Sequence, residues 1–139
     1  MERTASAHWN GNLKAGKGNL TTQSSTLNKT QYSFNDRFAD GVGTNPEELM
    51  GAAHAGCFTM ALSAALEQAG HTAKDLDTKA TVDFDAASLI IKTITLDLTA
   101  APIDGLDEAG FTTIAKAAKE NCPVSKALAG VTITLNVKY

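Results

Sequence analysis

This sequence of 139 residues has few aromatic residues, only two cysteines and no cluster of basic residues. The 12 lysines and arginines are outnumbered by 15 acidic residues and form no continuous stripe, which argues against nucleic-acid binding. Aromatic residues make up 6% of the chain, too few for a surface on which nucleic-acid bases stack. Residues 1–7 lack the apolar stretch of a secretory signal, so we expect a cytoplasmic protein.

The two cysteines, Cys57 and Cys122, are the most informative residues because of their surroundings. Cys57 stands inside an uncharged, alanine-rich stretch, residues 49–66, and Cys122 immediately precedes Pro123. Lasting structural disulfides are rare in the cytosol, whereas catalytic or sensing thiols occur there, so this pair suggests redox chemistry at sulfur. The stretch 49–66 is long enough to span a membrane but only weakly hydrophobic, so we expect a buried helix and no membrane span.

The remaining pattern predicts one domain over residues 1–139, which is long enough to bury a core without disulfides. Asn45 is a good N-cap and Pro46 suits the first helical position, so a long helix is expected to begin there. It should run to about residue 69 and end at Gly70. Its apolar composition predicts protein on nearly every side of it.

Alternating apolar residues predict the strands of the fold. They are expected at residues 7–14, 18–23, 31–38, 80–85, 89–98 and 131–139, with the fourth and fifth paired as a hairpin. A second helix is expected at about 107–120, and Pro123 should open a short third helix directly after Cys122. The sum is an α+β fold with mainly antiparallel sheets around one long, buried central helix.

The residues alone leave the roles of both cysteines open. Cys57 is by default a small core residue, and a reactive role needs a nearby cation, because burial in the middle of a helix raises the pKa of a thiol. No lysine or arginine stands between Glu48 and Glu67, so that cation must come from elsewhere. Cys122 is expected at the N-terminus of a short helix, where a thiolate is stabilised. That position suits either a resolving thiol or a leaving group in thiol–disulfide exchange.

Two further readings of the cysteines are weaker. Cys57, His54 and Cys122 resemble an incomplete zinc set, but the close ligand pairing of zinc sites is missing, so no metal is expected. A hydrolase would pair Cys57 with a histidine, for which the choices are His8, His54 and His71. None of these comes with a recognisable nucleophile signature, so both readings stay as alternatives.

Two motifs carry a resemblance to a known family. Residues 44–58, TNPEELMGAAHAGCF, closely resemble the signature of the OsmC/Ohr family of osmotically induced and organic hydroperoxide resistance proteins. Residues 121–125, NCPVS, resemble the second cysteine motif of that family. The runs 7–9, 34–38 and 43–46 are more similar to the OsmC branch than to the Ohr branch, and the resemblance covers essentially the whole chain.

The resemblance implies an OsmC-like fold, an intertwined homodimer and a thiol-dependent peroxidase acting on organic hydroperoxides, and less well on hydrogen peroxide, in oxidative or osmotic stress defence. By matching motifs, Cys57 would be the peroxidatic cysteine and Cys122 the resolving one. Arg37 would hold the thiolate, and Glu47 would orient that arginine. The Cys57 sulfenic acid would condense with Cys122 to a disulfide, which an external dithiol reopens. No bound cofactor is implied, and in the Ohr branch the reductant is a lipoylated protein.

The spacing of Glu47 and Cys57 predicts a site built from two chains. Ten residues of straight helix rise roughly 15 Å, and the two side chains point about 80° apart. A group from a partner chain would bring them together. An apolar wall of Met50, Phe58 and Phe38 would favour alkyl hydroperoxides. The alternative function is a non-enzymatic thiol redox sensor or a small-ligand-binding protein.

Overall fold

The computed structural model describes all of residues 1–139 as six strands and four helices. In chain order these are β1 (Ala5–Asn10), β2 (Lys17–Thr22), β3 (Thr30–Tyr32), α1 (Phe34–Phe38), α2 (Pro46–Gln68), β4 (Leu76–Asp85), β5 (Ile90–Ala100), α3 (Glu108–Asn121), α4 (Pro123–Ala127) and β6 (Thr132–Lys138). The chain divides into two compact units, Met1–Leu49 and Met50–Tyr139, with the boundary inside α2. The expectation of one domain over the whole chain stays a prediction.

The first unit contains an antiparallel sheet in the order β1–β2–β3. Gly18 on β2 stands opposite both Trp9 and Tyr32 in the strand register. A side chain at Gly18 would collide with both rings, whose centroids lie 5.4 Å apart. Glycine therefore lets two aromatic rings meet across the middle strand. The predicted first strand was too long, because β1 ends before Gly11, whose φ of 97° turns the chain.

The predicted strand at 31–38 is wrong over most of its length. β3 ends at Tyr32, and the next residues form the short helix α1. Ser33 caps this helix, since its side chain accepts a hydrogen bond from the backbone N–H of Asp36. Phe34 and Phe38 stack one helical turn apart with their centroids 4.7 Å from each other. The same two phenylalanines satisfy an alternating pattern, which is why the segment resembled a strand.

The second unit contains a sheet in the order β4–β5–β6. The predicted hairpin is confirmed, because β4 and β5 pair antiparallel from Leu76 opposite Ala100. β5 and β6 pair in parallel, with Thr93 beside Thr132. Parallel neighbours need a long crossover connection, and α3 and α4 supply it here. The crossover therefore carries Cys122, which lies at the joint between these two helices.

The long helix α2 begins and ends as predicted. The side chain of Asn45 accepts a hydrogen bond from the backbone N–H of Glu48, 2.8 Å away, and Gly70 follows the helix with a φ of 83°. In the second unit, the helix packs on β4, where the Thr59 hydroxyl lies 2.7 Å from that of Thr78. The residues on its buried face are Gly51, His54, Phe58, Leu62 and Leu66.

The opposite face of α2 is uncovered in the single chain. Ala53, Gly56, Met60 and Ala64 are exposed there, and Met60 keeps 76% of its surface. Protein therefore covers one face of this helix within the chain, not nearly every side. By length and composition α2 is the one helix capable of crossing a membrane, a property that it shares with core helices of soluble proteins.

Candidate active site

Arg37 and Glu47 form a close ion pair in the first unit. Arg37 lies on α1 and Glu47 lies in the first turn of α2. The Nη2 atom of Arg37 donates to Oε1 of Glu47 at 2.7 Å, and its Nε donates to both carboxylate oxygens at 3.2 and 3.3 Å. The carboxylate is held on one edge of the planar guanidinium, the arrangement that fixes the direction of an arginine side chain. The ion pair brings together the two residues that the resemblance named as partners, and their roles in a reaction stay predictions.

Asp36 ties this ion pair to its surrounding loop. Its side chain is buried, and its Oδ1 accepts a hydrogen bond of 2.7 Å from the backbone N–H of Gly43. The hydrogen bond from Gly43, and after it one from the Ser33 side chain to the same carboxylate, lower the pKa of Asp36 below its ordinary value. The Asn45 side chain, which caps α2, also donates to the backbone oxygen of Asp36. Asp36 thus joins α1 to the loop before α2 through its carboxylate, and to the cap of α2 through its backbone oxygen.

A cavity of about 310 Å³ lies beside the Arg37 side chain in the first unit. Its lining is mostly aromatic or apolar: Trp9, Leu13, Tyr32, Ser33, Phe34, Arg37, Phe38 and Pro46. The guanidinium carbon of Arg37 also lies 5.4 Å from the centre of the Phe38 ring. Of the predicted apolar wall, Phe38 lines this cavity, whereas Phe58 is completely buried in the core of the second unit. The expected role of Phe58 in such a wall is therefore wrong.

The two cysteines meet in the second unit as free thiols. Their sulfur atoms lie 3.2 Å apart, although the residues are 65 positions apart in the sequence. Cys57 is half-buried on α2, and Cys122 is completely buried. Cys122 ends α3 and starts α4 with an extended ψ of 123°, so its side chain leaves the crossover toward α2. The two thiols therefore lie within reach of each other while reduced.

The surroundings of the two sulfurs shift the pKa values of the two thiols in opposite directions. Burial raises the pKa of Cys57, and the hydrogen bond with Cys122 raises it further, against the lowering effect of the Val124 N–H. Burial also acts to raise the pKa of Cys122, but hydrogen bonds from the Ser125 N–H, the Cys57 thiol and the Ser125 hydroxyl outweigh it and lower that pKa. The pKa of Cys57 is therefore raised in the single chain, and the cation that would lower it is not among these neighbours.

His54 makes a contact that the sequence reasoning missed. Its ring is completely buried, and its Nε2 lies 2.8 Å from the Oγ of Ser125. Burial lowers the pKa of His54, so the ring is neutral at pH 7. The zinc reading gains no support, since Nε2 faces a hydroxyl and no group of three His, Cys, Asp or Glu side chains in residues 1–139 is placed to hold a metal ion.

A sequence model of the OsmC-like protein family matches residues 39–136, more than half of the chain. The chain belongs to the OsmC-like family. It is similar to Peroxiredoxin OsmC of Escherichia coli strain K12, with 45% identity over 141 residues that cover 99% of this chain and 98% of the relative. The predicted family is confirmed.

Solved structures of the family share the fold. The organic hydroperoxide resistance protein OsmC of Legionella pneumophila is 26% identical, with a TM-score of 0.74 over 98% of this chain and 97% of that one. The organic hydroperoxide resistance protein OhrB of Bacillus subtilis is 28% identical, with a TM-score of 0.69 over 97% of this chain and 98% of that one. The α+β, OsmC-like fold is therefore confirmed.

In this OsmC-like protein, the four predicted site residues form two pairs. Arg37 meets Glu47 in the first unit, and Cys57 meets Cys122 in the second. Their roles in a reaction stay predictions. The sequence reasoning gave no role to Asp36 or Ser125, and it considered His54 only as a metal ligand or a catalytic histidine. A signal was present for two of them, because His54 precedes Cys57 by three residues and Ser125 follows Cys122 by three, the spacing of one helical turn.

Proposed function

We propose that this protein is a thiol-dependent peroxidase that reduces organic hydroperoxides. The contact of two free thiols at 3.2 Å in an OsmC-like fold is the observation that carries the proposal. The names of its relatives support it, because one is a peroxiredoxin and two are organic hydroperoxide resistance proteins. Hydrogen peroxide should be the poorer substrate, since the aromatic cavity beside Arg37 favours an apolar group.

The reaction proceeds through two changes at Cys57. Its thiolate attacks one oxygen of the hydroperoxide, so that a sulfur–oxygen bond forms, the O–O bond breaks and the alkoxide leaves as alcohol after taking a proton. Cys122 then attacks the sulfenic acid, forming the disulfide as water departs. Cys57 is the sulfur that meets the peroxide, because it is half-buried whereas Cys122 is completely buried. An external dithiol, for which a lipoylated protein is the candidate, reduces the disulfide.

Arg37 supplies the cation that the Cys57 thiolate needs. Burial raises the pKa of Cys57, so a positive charge must offset it for the thiolate to form near neutral pH. Arg37 is held in one direction by the carboxylate of Glu47, ready to donate to a sulfur or peroxide oxygen. Its position at the aromatic cavity would let it hold the peroxide group while the cavity takes the organic part.

The chain acts as a homodimer in this proposal, with Arg37 and Glu47 of one chain facing Cys57 of the other. The ten-residue spacing of Glu47 and Cys57 favours such a shared site. The uncovered face of α2, which includes Met60, offers apolar surface for a second chain. We place the protein in the cytoplasm, where dithiol reductants are available, and assign it to defence against oxidative stress, including that which accompanies osmotic stress.

Stopped-flow oxidation of the reduced protein by cumene hydroperoxide and by hydrogen peroxide tests this function. Fast reaction with the organic peroxide should disappear in Cys57→Ser, and Cys122→Ser should accumulate the sulfenic acid. Arg37→Ala and Glu47→Gln should both slow the first step, the former by about 100-fold, because they remove or misdirect a charge-assisted donor. Glu48→Gln is the matched control, since Glu48 is the exposed neighbour of Glu47.

Sedimentation velocity on the same samples tests the shared site. The proposal expects a dimer, and it expects a mixture of Cys57→Ser with Arg37→Ala to recover activity, because one of the two sites in a mixed dimer is intact. A fully active monomer would exclude the shared site. Equally slow reaction of every variant and the wild type with both peroxides would exclude the peroxidase and favour a thiol sensor.

A further inference from the structure

The His54–Ser125 contact joins α2 to the same crossover connection as the contact of the two cysteines. The Nε2 atom of His54 on α2 lies 2.8 Å from the Oγ of Ser125 on α4. His54 is completely buried, and Ser125 keeps only 8% of its surface. His54 precedes Cys57 by three residues, and Ser125 follows Cys122 by three. The reaction proposed above uses the contact of the sulfurs and leaves this neighbouring contact without a role.

The surroundings of His54 fix the direction of its hydrogen bond. Its other ring nitrogen, Nδ1, is buried and has no hydrogen-bond partner. A buried N–H without a partner is less favourable than a buried acceptor without one, so the proton of the neutral ring belongs on Nε2. The ring then donates to the Oγ of Ser125. Because a hydrogen bond is directional, this one fixes where the Ser125 side chain lies against α2.

The short helix α4 depends on such a contact for its orientation. It has five residues, Pro123–Ala127, and a helix of that length is not stable by itself. Cys122, its N-cap residue, makes no capping hydrogen bond with its side chain. Val124 and Leu128 pack against the core of the second unit, but apolar contacts have no preferred direction. The hydrogen bond from α2 is therefore the contact that sets the orientation of α4, and with it the place of the Cys122 sulfur.

Oxidation of Cys57 alters the contact of the sulfurs before the disulfide forms. In the reduced chain the Cys122 thiol donates to the Cys57 sulfur at 3.2 Å. The reaction with peroxide adds an oxygen to the Cys57 sulfur, so this contact changes when the sulfenic acid appears. The His54–Ser125 bond includes neither sulfur. It therefore still joins α2 to α4 at the moment when Cys122 has to reach its partner.

We propose that His54 and Ser125 are positioning residues that hold α4 against α2 and so keep the Cys122 sulfur beside the Cys57 sulfenic acid. This inference rests on the two-cysteine mechanism proposed above. In the step that the pair assists, the Cys122 sulfur bonds to the Cys57 sulfur as the sulfur–oxygen bond breaks, and the Cys122 proton leaves with the hydroxyl group as water. Neither His54 nor Ser125 exchanges a proton or an electron in this step. Their effect is a higher effective concentration of one sulfur at the other.

Equilibrium with glutathione measures this effective concentration without any peroxide. The reduced protein and glutathione disulfide exchange to give the protein disulfide and two molecules of glutathione, and the equilibrium constant has the unit of a concentration. Ser125→Ala should lower this constant roughly tenfold, the upper range for the loss of one hydrogen bond. The reduction potential of the protein disulfide should therefore rise by about 30 mV.

Stopped-flow oxidation by cumene hydroperoxide measures the same effect during the reaction. The first phase is sulfenic acid formation at Cys57, and the second is disulfide formation, which samples quenched with a sulfenic-acid probe identify by mass spectrometry. The second phase should slow roughly tenfold in both Ser125→Ala and His54→Leu. The double variant should be no slower than either single variant, because the two changes remove the same bond.

Conservative variants separate positioning from packing. Ser125→Thr keeps the hydroxyl, and His54→Gln keeps an N–H donor, so both should retain most of the equilibrium constant and of the second-phase rate. Leu62→Ala is the matched control, because it removes a completely buried side chain of the same helix without removing either hydrogen bond. It should destabilise the fold more than Ser125→Ala does, yet leave the equilibrium with glutathione unchanged.

The outcomes distinguish failure of this inference from failure of the peroxidase. An unchanged glutathione equilibrium in Ser125→Ala and His54→Leu would overturn the inference while leaving the peroxidase intact. An equal shift in Leu62→Ala would also overturn it, since general loss of packing would then explain the effect. Additive losses in the double variant would contradict the shared bond. A wild-type protein without a fast first phase would instead overturn the peroxidase, and with it the step that the pair is proposed to assist.

Discussion

Oxidation of Cys57 and Cys122 to a disulfide should stabilise the fold strongly, because the bond joins distant parts of the sequence. The cysteines are 65 positions apart, and their sulfurs already touch in the reduced chain. Closing a loop of this length restricts the unfolded chain by an amount equivalent to about 4 kcal/mol at 25 °C in the chain-entropy model. With an unfolding entropy of about 2.1 cal/mol/K per residue, this gain raises the melting temperature by roughly 15 °C.

Urea denaturation of the reduced and the oxidised protein measures this gain. One sample is kept in dithiothreitol, and the other is treated with one equivalent of cumene hydroperoxide. Both are measured at the same total concentration, because the stability of a dimer depends on protein concentration. Cys122→Ser treated with the same peroxide is the control, since it carries an oxidised Cys57 without a cross-link. The control should show no gain comparable with that of the wild type.

A gain below about 1 kcal/mol in the oxidised wild type would refute the reasoning, provided that mass spectrometry shows the loss of two hydrogens from each chain. Such a result would mean that strain in the native state cancels the restriction of the unfolded chain. A non-reducing gel completes the measurement, because a bond between cysteines of different chains closes no loop within one chain. A covalent dimer on that gel would likewise contradict the assigned pairing.

Three further predictions concern stability, each measured by urea denaturation. Gly43→Ala should lower the free energy of unfolding by about 1–3 kcal/mol, because a methyl group there collides with the Asp36 carboxylate. Gly130→Ala is its control, because a methyl group at Gly130 has no atom within 4 Å. Leu62→Ala should lower it by about 2–5 kcal/mol, because Leu62 is completely buried in the core. The pKa of His54 is lower in the folded than in the unfolded state, because burial disfavours the charged ring. The stability that the neutral ring contributes is therefore fully present above about pH 6.5 and falls as the pH drops below that value. His54→Gln should remove this part of the decrease in the free energy of unfolding between about pH 7.5 and pH 5.5.

The ends of the helices were predictable because their signals are local. Asn45 caps α2, Gly70 turns the chain after it, and Pro123 follows Cys122 at the start of α4. Each of these depends on residues within one helical turn. The segment 31–38 was not predictable in the same way, because its phenylalanines are spaced both as in a strand and as in a helix. The capping serine at position 33 decides between the two.

The contacts of the candidate site were beyond reasoning from the residues alone. The family resemblance, not the spacing of 65 residues, named Cys57 and Cys122 as partners, and their contact results from the packing of α2 against the crossover between β5 and β6. The same packing places Ser125 against His54, for which no motif gave a role. Asp36 stands beside Arg37 with no role in the sequence reasoning, whereas its burial and its bond to Gly43 show that it holds the loop. Long-range contacts of this kind depend on the topology rather than on local sequence.

In the proposed reaction, the contact of the two thiols also determines how the protein withstands an excess of peroxide. A sulfenic acid that must wait for its partner can meet a second peroxide molecule and become sulfinic acid, which dithiols do not reverse. The Cys57 sulfur has its partner 3.2 Å away inside the native fold, so no segment has to unfold before the disulfide forms. The buried Cys122 is itself shielded from the same damage. This arrangement suits repeated turnover at doses that inactivate peroxidases whose two cysteines must first move together.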